Sequence, residues 1–508
     1  MVTALAQLSG GGGVAAGLRG LTRLRASARA PLVALALVSV LSLGARSLLL
    51  DEPCQSPCNK ATDHTLIFDE AYYVNAARVI AGIQPPSGDH YAEAPLGVDP
   101  NAEHPQGAKL IMAAAIEIFG DGPFAWRIGS LLMGSIAILG MFALVRAAGG
   151  GRWTAAGAAT LMACDNLLLV HGRIGTLDIY AVAAMIWGVA LYLRGRPVLA
   201  GIVLAVATCF KEVAPYSLVV LALLEVARVL LARRDPAAPR SWRLGPAYGR
   251  LAATTFVTSG VFVGLLGLMG LIATPYADAD AKLITGGPFN EIAHIVSYAA
   301  SLTSPHGPTG IASYPWWWMI DLKPIVYLRI DPSLPGHELG AIHPVCAFFG
   351  MVSPAIMLLA LPALVFAVWR LVRGRGRARG GTVEAVGVPA VSVDSGSVGA
   401  RSVGDRAVGD RSVGAVGARS VGDRQLAILG VAWFLGTWGP FALQALIDQR
   451  TSYLYYMVVV MPGIYVAVAQ LVGLGWRRGQ TWLSGTIAVW WLCVLAAVVL
   501  MYPFVAAF

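Results

Sequence analysis

The chain reads as an all-α polytopic membrane protein with about eleven transmembrane helices. Three observations predict this class. Of 508 residues, 57% are hydrophobic and only 13% are charged, which excludes an ordinary soluble globule. Several apolar runs reach the roughly 20 residues that a helix needs to cross a bilayer. The basic residues sit in short loops between those runs, and the acids gather in alternate ones. A formal net charge of +9 raises the question of nucleic acid. No basic-aromatic patch or nucleic-acid motif accompanies it, so no nucleic-acid partner is expected.

Taken in order, residues 1–30 form a tail with a glycine run and Arg19, Arg23, Arg25 and Arg29. The apolar run 31–50 follows. A charged stretch before an apolar one resembles a signal peptide, but no small-residue cleavage site clearly follows. The run is therefore read as an uncleaved first span with a cytoplasmic N-terminus. Further spans are expected at roughly 124–146, 153–170, 178–194, 197–210, 214–232, 251–273, 343–372, 425–446, 452–474 and 482–507. Alternating sides from that start puts Arg146, Arg152, Arg194, Arg196, the cluster Arg228 to Arg250, the run Arg370 to Arg379, Arg477 and Arg478 inside. The expected location is the cell membrane, with two long loops, 51–123 and 274–342, outside. The organisation is thus a tail (1–30), a transmembrane module (31–373), a linker (374–424) and C-terminal transmembrane helices (425–508). The linker repeats Ser-Val-Gly-Asp-Arg and its variants. Such Gly-rich, charged sequence cannot bury a core and is expected to be disordered.

In the first long loop, segments 69–82 and 107–119 look helical but too short to span, which suits interfacial helices. The first opens on Asp69-Glu70, with Tyr72, Tyr73, Ala76, Ala77, Val79 and Ile80 on its apolar side. Acids at a helix start suit the helix dipole, so a purely local role is one reading of the pair. The same loop holds Cys54 and Cys58. Outside the cytoplasm they can form a disulfide; metal ligation is the alternative, though two further ligands would be needed. Cys164, Cys209, Cys346 and Cys493 fall in or near apolar spans and read as packing residues.

Few charges lie at mid-depth in the spans. The polar residues crowd one membrane surface instead: Asp69, Glu70, His104, Lys109, Arg127, Asp165, His171, Arg173, Asp178, Lys211, Glu212, His306, Asp448 and Arg450. A transporter would place ionisable groups at the midplane and show internal repeats of its spans. Acids and bases converging from separate outer loops instead suggest a site at the lipid interface, suited to a substrate with an apolar tail and a phosphate head. Lys and Arg would hold the phosphate and a carboxylate would act as base. No glycine-rich nucleotide pattern is present.

Several of these residues stand in motifs that resemble a known family. Phe68-Asp69-Glu70 followed by His104-Pro105-Gln106-Gly107-Ala108-Lys109 is similar to the protein O-mannosyltransferase pattern. So are Phe124-Ala125-Trp126-Arg127-Ile128 and the segment His171 to Asp178. Ser304-Pro305-His306, then Ser313-Tyr314-Pro315-Trp316-Trp317-Trp318, resembles that family's second-loop motif, and Arg450 to Pro462 its C-terminal aromatic run. Gln106 stands where the family has a second proline, and Tyr455-Tyr456 where histidine is common.

The resemblance implies a GT-C fold and transfer of a sugar, typically mannose, from a polyprenyl-phosphate donor on the extracytoplasmic side. The acceptor would be a hydroxyl of a secreted or membrane protein, with a cell-envelope glycan or lipid as the alternative. It implies Asp69 as the base and Glu70 as its companion. His104, Lys109, Arg127, Arg173, Asp178, His306, Trp316 and Arg450 would bind the donor phosphate or substrate. No cofactor is required by these residues, although Asp69, His104 and Asp178 are types that could hold a divalent metal. Each has a structural alternative: Lys109 and Arg127 as snorkelling anchors, Asp178 as the ion-pair partner of Arg173, the tryptophans as an interfacial belt.

Overall fold

The computed structural model describes residues 29–55, 57–236, 238–331, 333, 345–373 and 405–506, the last stretch without side chains for 405–420. Fifteen α-helices run through them. In chain order α1 is Ala30–Ser47, α2 Glu70–Ile80, α3 Gly107–Phe119, α4 Pro123–Ala147, α5 Arg152–Ala163 and α6 Asn166–His171. Then come α7 Asp178–Leu193, α8 Pro197–Phe210, α9 Tyr216–Ala232, α10 Leu244–Ile272, α11 Pro288–Ser301 and α12 Pro354–Arg373. The last three are α13 Asp405–Ile447, α14 Met457–Arg477 and α15 Thr481–Leu500. Local sequence explains many boundaries. Proline opens α4, α8 and α11, where its missing N–H costs nothing. Asp165 caps α6, accepting from the Leu167 N–H at 2.9 Å.

Seven helices are long and apolar enough to cross a membrane: α1, α4, α10, α12, and much of α13, α14 and α15. The short apolar helices α7 and α8 fall at two of the expected spans. Length and composition thus place the described chain in the polytopic class, with seven of its helices long enough to be candidate spans against the eleven or so expected. The span expected from residue 343 begins later, at Pro354, because Cys346–Gly350 is a strand.

The bundle is built around α14, which is buried without interruption from Met457 to Gln470. It packs against α5, α12 and α13. Where α13 and α14 cross, a Cβ on Gly463 would lie 2.9 Å from the Gly430 carbonyl oxygen. Only paired glycines allow that approach. On the other side α4, α7, α8 and α10 pack in series. The span α1 lies on the outside, mostly uncovered. Its one buried cation, Arg46, donates to the carbonyls of Leu131 at 2.9 Å and Gly172 at 3.3 Å and to Ser135 Oγ at 2.8 Å. A charge within a span is thereby satisfied by protein oxygens.

The two long loops are not independent. Strand β1 (Val98–Asp99) pairs in parallel with β2 (Thr274–Ala277), which pairs with β3 (Lys282–Leu283). Strand β4 (Ile325–Ile330) pairs antiparallel with β5 (Cys346–Gly350). Neither these strands nor α11 was foreseen. Of the expected disordered linker, residues 374–404 lie outside the described residues. Residues 405–424 are instead the start of α13. At its end Gly422 packs on Gly149, and Asp423 faces Arg370 at 3.5 Å and Arg477 at 3.7 Å.

Candidate active site

Helix α2 starts from a strained turn. Phe68 has φ of +54°, a conformation costly for a bulky side chain and often found where function demands it. Its ring is held there by stacking on Tyr327 of β4, with centroids 4.0 Å apart, and edge-on against Tyr455 at 5.6 Å. The turn sends the next two carboxylates in different directions. Asp69 occupies the N-cap position, yet its side chain caps no backbone N–H. Direct capping of the helix therefore does not account for it. The residue stays half-buried, and its carboxylate accepts a hydrogen bond from the Tyr73 hydroxyl.

Glu70 is the opposite case. It is fully buried and both oxygens are saturated. Oε1 accepts from Arg127 Nε at 2.8 Å and from the Gly175 N–H at 2.7 Å. Oε2 accepts from Arg127 Nη2 at 2.8 Å and from the Ile67 N–H at 2.8 Å. Arg127 also donates to the carbonyls of Leu50 at 2.5 Å and Glu52 at 3.1 Å. Those carbonyls stand just ahead of the loop that the Cys54–Cys58 disulfide closes. The two carboxylates expected to be catalytic thus differ in surroundings: Glu70 is saturated by Arg127 and two backbone N–H groups, and Asp69 meets the Tyr73 hydroxyl.

Around Asp69 four further segments meet. The loop before α3 brings His104, whose Nδ1 lies 2.8 Å from Glu212 Oε2. The start of α7 brings Asp178, and the end of α8 brings Lys211, whose ammonium donates to Asp178 Oδ1 at 2.7 Å. Tyr455 and Tyr456 precede α14, and Lys211 Nζ sits 5.3 Å and 5.8 Å from their ring centroids. Among the described residues Asp178 is Lys211's one hydrogen-bond acceptor, so two N–H vectors remain for a ligand. Asp178 Oδ2 is buried with no donor on it; His171 Nδ1 is 3.7 Å away.

The electrostatics follow from this packing. Burial among aromatic rings lifts the Asp69 carboxyl to about 6, against the pull of Lys211 and with a push from Asp178. Burial would raise Glu212 as well, but His104 and Lys211 reverse it and hold it down near 2. One carboxyl is therefore tuned to take up a proton near neutrality while its neighbour stays ionised, the division of labour that general base chemistry needs.

Other expected site residues are spent elsewhere. Lys109 is fully buried and donates to Asp99 Oδ2 at 2.6 Å and to the His104 carbonyl at 2.9 Å, which fixes the His104 loop. Arg173 donates to the carbonyls of Leu48 at 2.9 Å and Leu49 at 3.0 Å, and its guanidinium faces Phe504 at 4.9 Å. It ties the chain's C-terminal segment to the first loop and does not pair with Asp178. His306 is exposed, and Trp316, 39% exposed, stacks on Tyr314. Neither contacts the Asp69 cluster. The buried tryptophan of that motif is Trp318, which meets Tyr456 edge-on at 6.2 Å. Arg450 donates to the Ala299 carbonyl and keeps Nε buried without an acceptor. It anchors the segment leading to Tyr455. Among the described residues no three His, Cys, Asp or Glu side chains converge as a metal-holding group. His104 and Asp178 are engaged by Glu212 and Lys211 instead.

Lys211 and Glu212 appeared in the sequence only as two of many polar residues at one surface. Adjacent opposite charges directly after an apolar helix, Phe210-Lys211-Glu212, were the available signal. A snorkelling lysine looks the same in sequence.

Comparison with known proteins bears on the fold and the reaction class. Residues 103–239 match the family described as dolichyl-phosphate-mannose-protein mannosyltransferase. A polyprenol-phosphate-mannose–protein mannosyltransferase of Mycobacterium tuberculosis is 24% identical over 369 residues, 60% of this chain and 66% of the relative. The alignment thus spans just under two thirds of that relative's length. The Corynebacterium glutamicum protein of the same name is 33% identical over 120 residues, 23% of this chain and 22% of its own. In architecture the chain is similar to a chain of the Saccharomyces cerevisiae Pmt1–Pmt2 protein O-mannosyltransferase complex bound to the sugar donor. The TM-score is 0.61 at 11% identity, covering 93% of this chain and 90% of that one. The Archaeoglobus fulgidus oligosaccharyltransferase in its apo form follows at 0.52 and 13% identity, covering 94% of this chain and 56% of that one. The chain is a multi-pass membrane protein of the GT-C fold that resembles the bacterial protein O-mannosyltransferase group.

Proposed function

We propose that the chain transfers a sugar, mannose by its relatives, from a polyprenyl-phosphate carrier to a hydroxyl of a protein on the extracytoplasmic side of the cell membrane. The observation that carries this reading is the uncapped, half-buried Asp69 beside Lys211, at the mouth of an apolar bundle. The acceptor oxygen attacks the anomeric carbon, and its proton passes to Asp69 as the new C–O bond forms. The bond from that carbon to the phosphate oxygen breaks, and the lipid phosphate leaves as the anion. Lys211, buried beside the Tyr455 and Tyr456 rings with Asp178 as its carboxylate partner, meets that developing charge. Asp178 holds the ammonium in place, and Glu212 orients His104 beside the same space. Lys109, Arg127 and Glu70 shape the loops that present these groups, and Arg173 braces the bundle behind them. This reading takes the segments carrying Asp69, His104, Asp178, Lys211 and Tyr455 as outward-facing, as the loop charges predict.

The test is transfer of radiolabelled mannose from polyprenyl-phosphate mannose in membranes that contain the full chain. Wild type should label protein, and Asp69→Asn should lower the rate by roughly 10² to 10⁴-fold at unchanged protein level. Label appearing in a lipid or glycan fraction alone would move the acceptor class. Normal transfer by Asp69→Asn would remove Asp69 as base.

A further inference from the structure

We propose that the end of the bundle remote from Asp69 carries a binding site for an anionic phospholipid, with an acyl chain in a cleft between α1, α5, α14 and α15 and the phosphate at the arginines around Arg477. The cleft has a volume of about 730 Å³ and is lined by Ala34, Thr160, Ala469, Gly473 and Trp491, with Arg152 and Arg477 at its mouth. Its floor is small because α5 and α14 approach closely: a Cβ on Gly473 would stand 3.2 Å from Thr154 Oγ1. Larger residues there would close the slot. From Ala469 to Arg477 the lining follows α14 for two turns, or about 12 Å. Arg477 also borders a second hollow with Phe366, Trp369, Arg370, Leu474 and Arg478. That hollow adjoins an apolar cleft of about 340 Å³ between α12, α14 and α15. One arginine-bearing turn therefore sits between two apolar clefts.

Charge and depth point to the occupant. Arg370, Arg477 and Arg478 line the second hollow and Arg477 also the cleft; among the described residues the ion pairs these three make are with Asp423, 3.5 Å from Arg370 and 3.7 Å from Arg477. The balance at the mouth is positive, and Arg477 remains half exposed. Trp153, Trp369, Trp476 and Trp482 are all more than a third exposed at this level, the belt that marks the boundary between hydrocarbon and headgroups. The 21 residues of α14 put this level about 30 Å from Tyr455 and the Asp69 cluster, the thickness of a bilayer core. A cation cluster at headgroup depth above an apolar slot is the complement of a lipid with a charged phosphate head.

The test is retention of phosphatidylglycerol against phosphatidylcholine by the full chain, read by native mass spectrometry after reconstitution in mixed bilayers. Wild type should retain phosphatidylglycerol at least fivefold over phosphatidylcholine. Arg477→Gln/Arg478→Gln should bring that ratio down by fivefold or more, about what loss of a membrane-facing arginine entails. Gly157→Leu should displace both lipids from the slot, since an added Cβ there meets only the Ala469 Cβ, at 4.0 Å, and the rest of the side chain fills the cleft. Unfolding temperature in phosphatidylcholine alone should be the same for all three proteins, which separates lost lipid from a lost fold. Equal retention of the two lipids by wild type, an unchanged ratio in the double variant, or retention of polyprenyl phosphate with no phospholipid would each overturn the assignment.

Discussion

At the level of single residues the site turns on two neighbours with opposite fates. Glu70 is spent on Arg127, while Asp69 caps no backbone N–H and accepts from the Tyr73 hydroxyl. Nothing in the dipeptide tells them apart, because what separates them is the turn at Phe68 and a guanidinium 57 residues away. The raised pKa of Asp69 gives a pH signature. A carboxyl held near 6 is protonated, and useless as a base, below that value. Transfer measured as kcat/KM should fall about tenfold per unit on the acid side of pH 6 and level off above it. Lys211 pulls that pKa down, so Lys211→Gln removes a restraining positive charge and leaves Asp178 unpaired nearby. Both changes raise the Asp69 pKa, and the acid limb should move to higher pH as the rate drops. A pH profile that keeps its midpoint in Lys211→Gln would separate Lys211 from the base.

At the level of elements, α2 and α3 could be read from the sequence at close to their true limits, 70–80 and 107–119. Their apolar spacing is local information. What holds them is not local. Glu70 reaches Arg127 of α4, Lys109 of α3 reaches Asp99 ten residues back, and Lys211 at the end of α8 reaches Asp178 at the start of α7. These buried pairs all looked like interfacial anchors or phosphate ligands, because a sequence lists charged residues without their partners. The clamp makes its own prediction. Glu70→Gln turns one acceptor oxygen into a donor among donors, leaving the Arg127 guanidinium part-unpaired inside the protein. That should cost about 3–5 kcal/mol of stability, seen as a lowered unfolding temperature in detergent together with lost transfer. Lost transfer at an unchanged unfolding temperature would instead mark Glu70 as a group that meets the substrate.

At the level of the whole molecule, apolar periodicity and loop charge were enough to predict a polytopic bundle, since both are imposed by the bilayer along the chain. The joining of the two long loops through β1 and β2, and the packing of Asp423 from a glycine-rich repeat against two arginines, depend on contacts distant in sequence and left no periodic trace. The same charge pattern predicts an orientation that can be checked directly. Cys164, Cys209 and Cys346 are buried and Cys54–Cys58 is bonded, so Cys493 is the one exposed thiol among the described residues. In a Cys493→Ala background, Thr309→Cys tests the loop ahead of the aromatic motif and Gln480→Cys tests the turn between α14 and α15; both positions are exposed. The outward assignment of the Asp69 end requires a membrane-impermeant maleimide to label Thr309→Cys in intact cells and Gln480→Cys only after permeabilisation. Labelling in the reverse order would turn the bundle over. It would place Asp69 and Lys211 on the cytosolic face and remove the extracytoplasmic step from the proposed reaction.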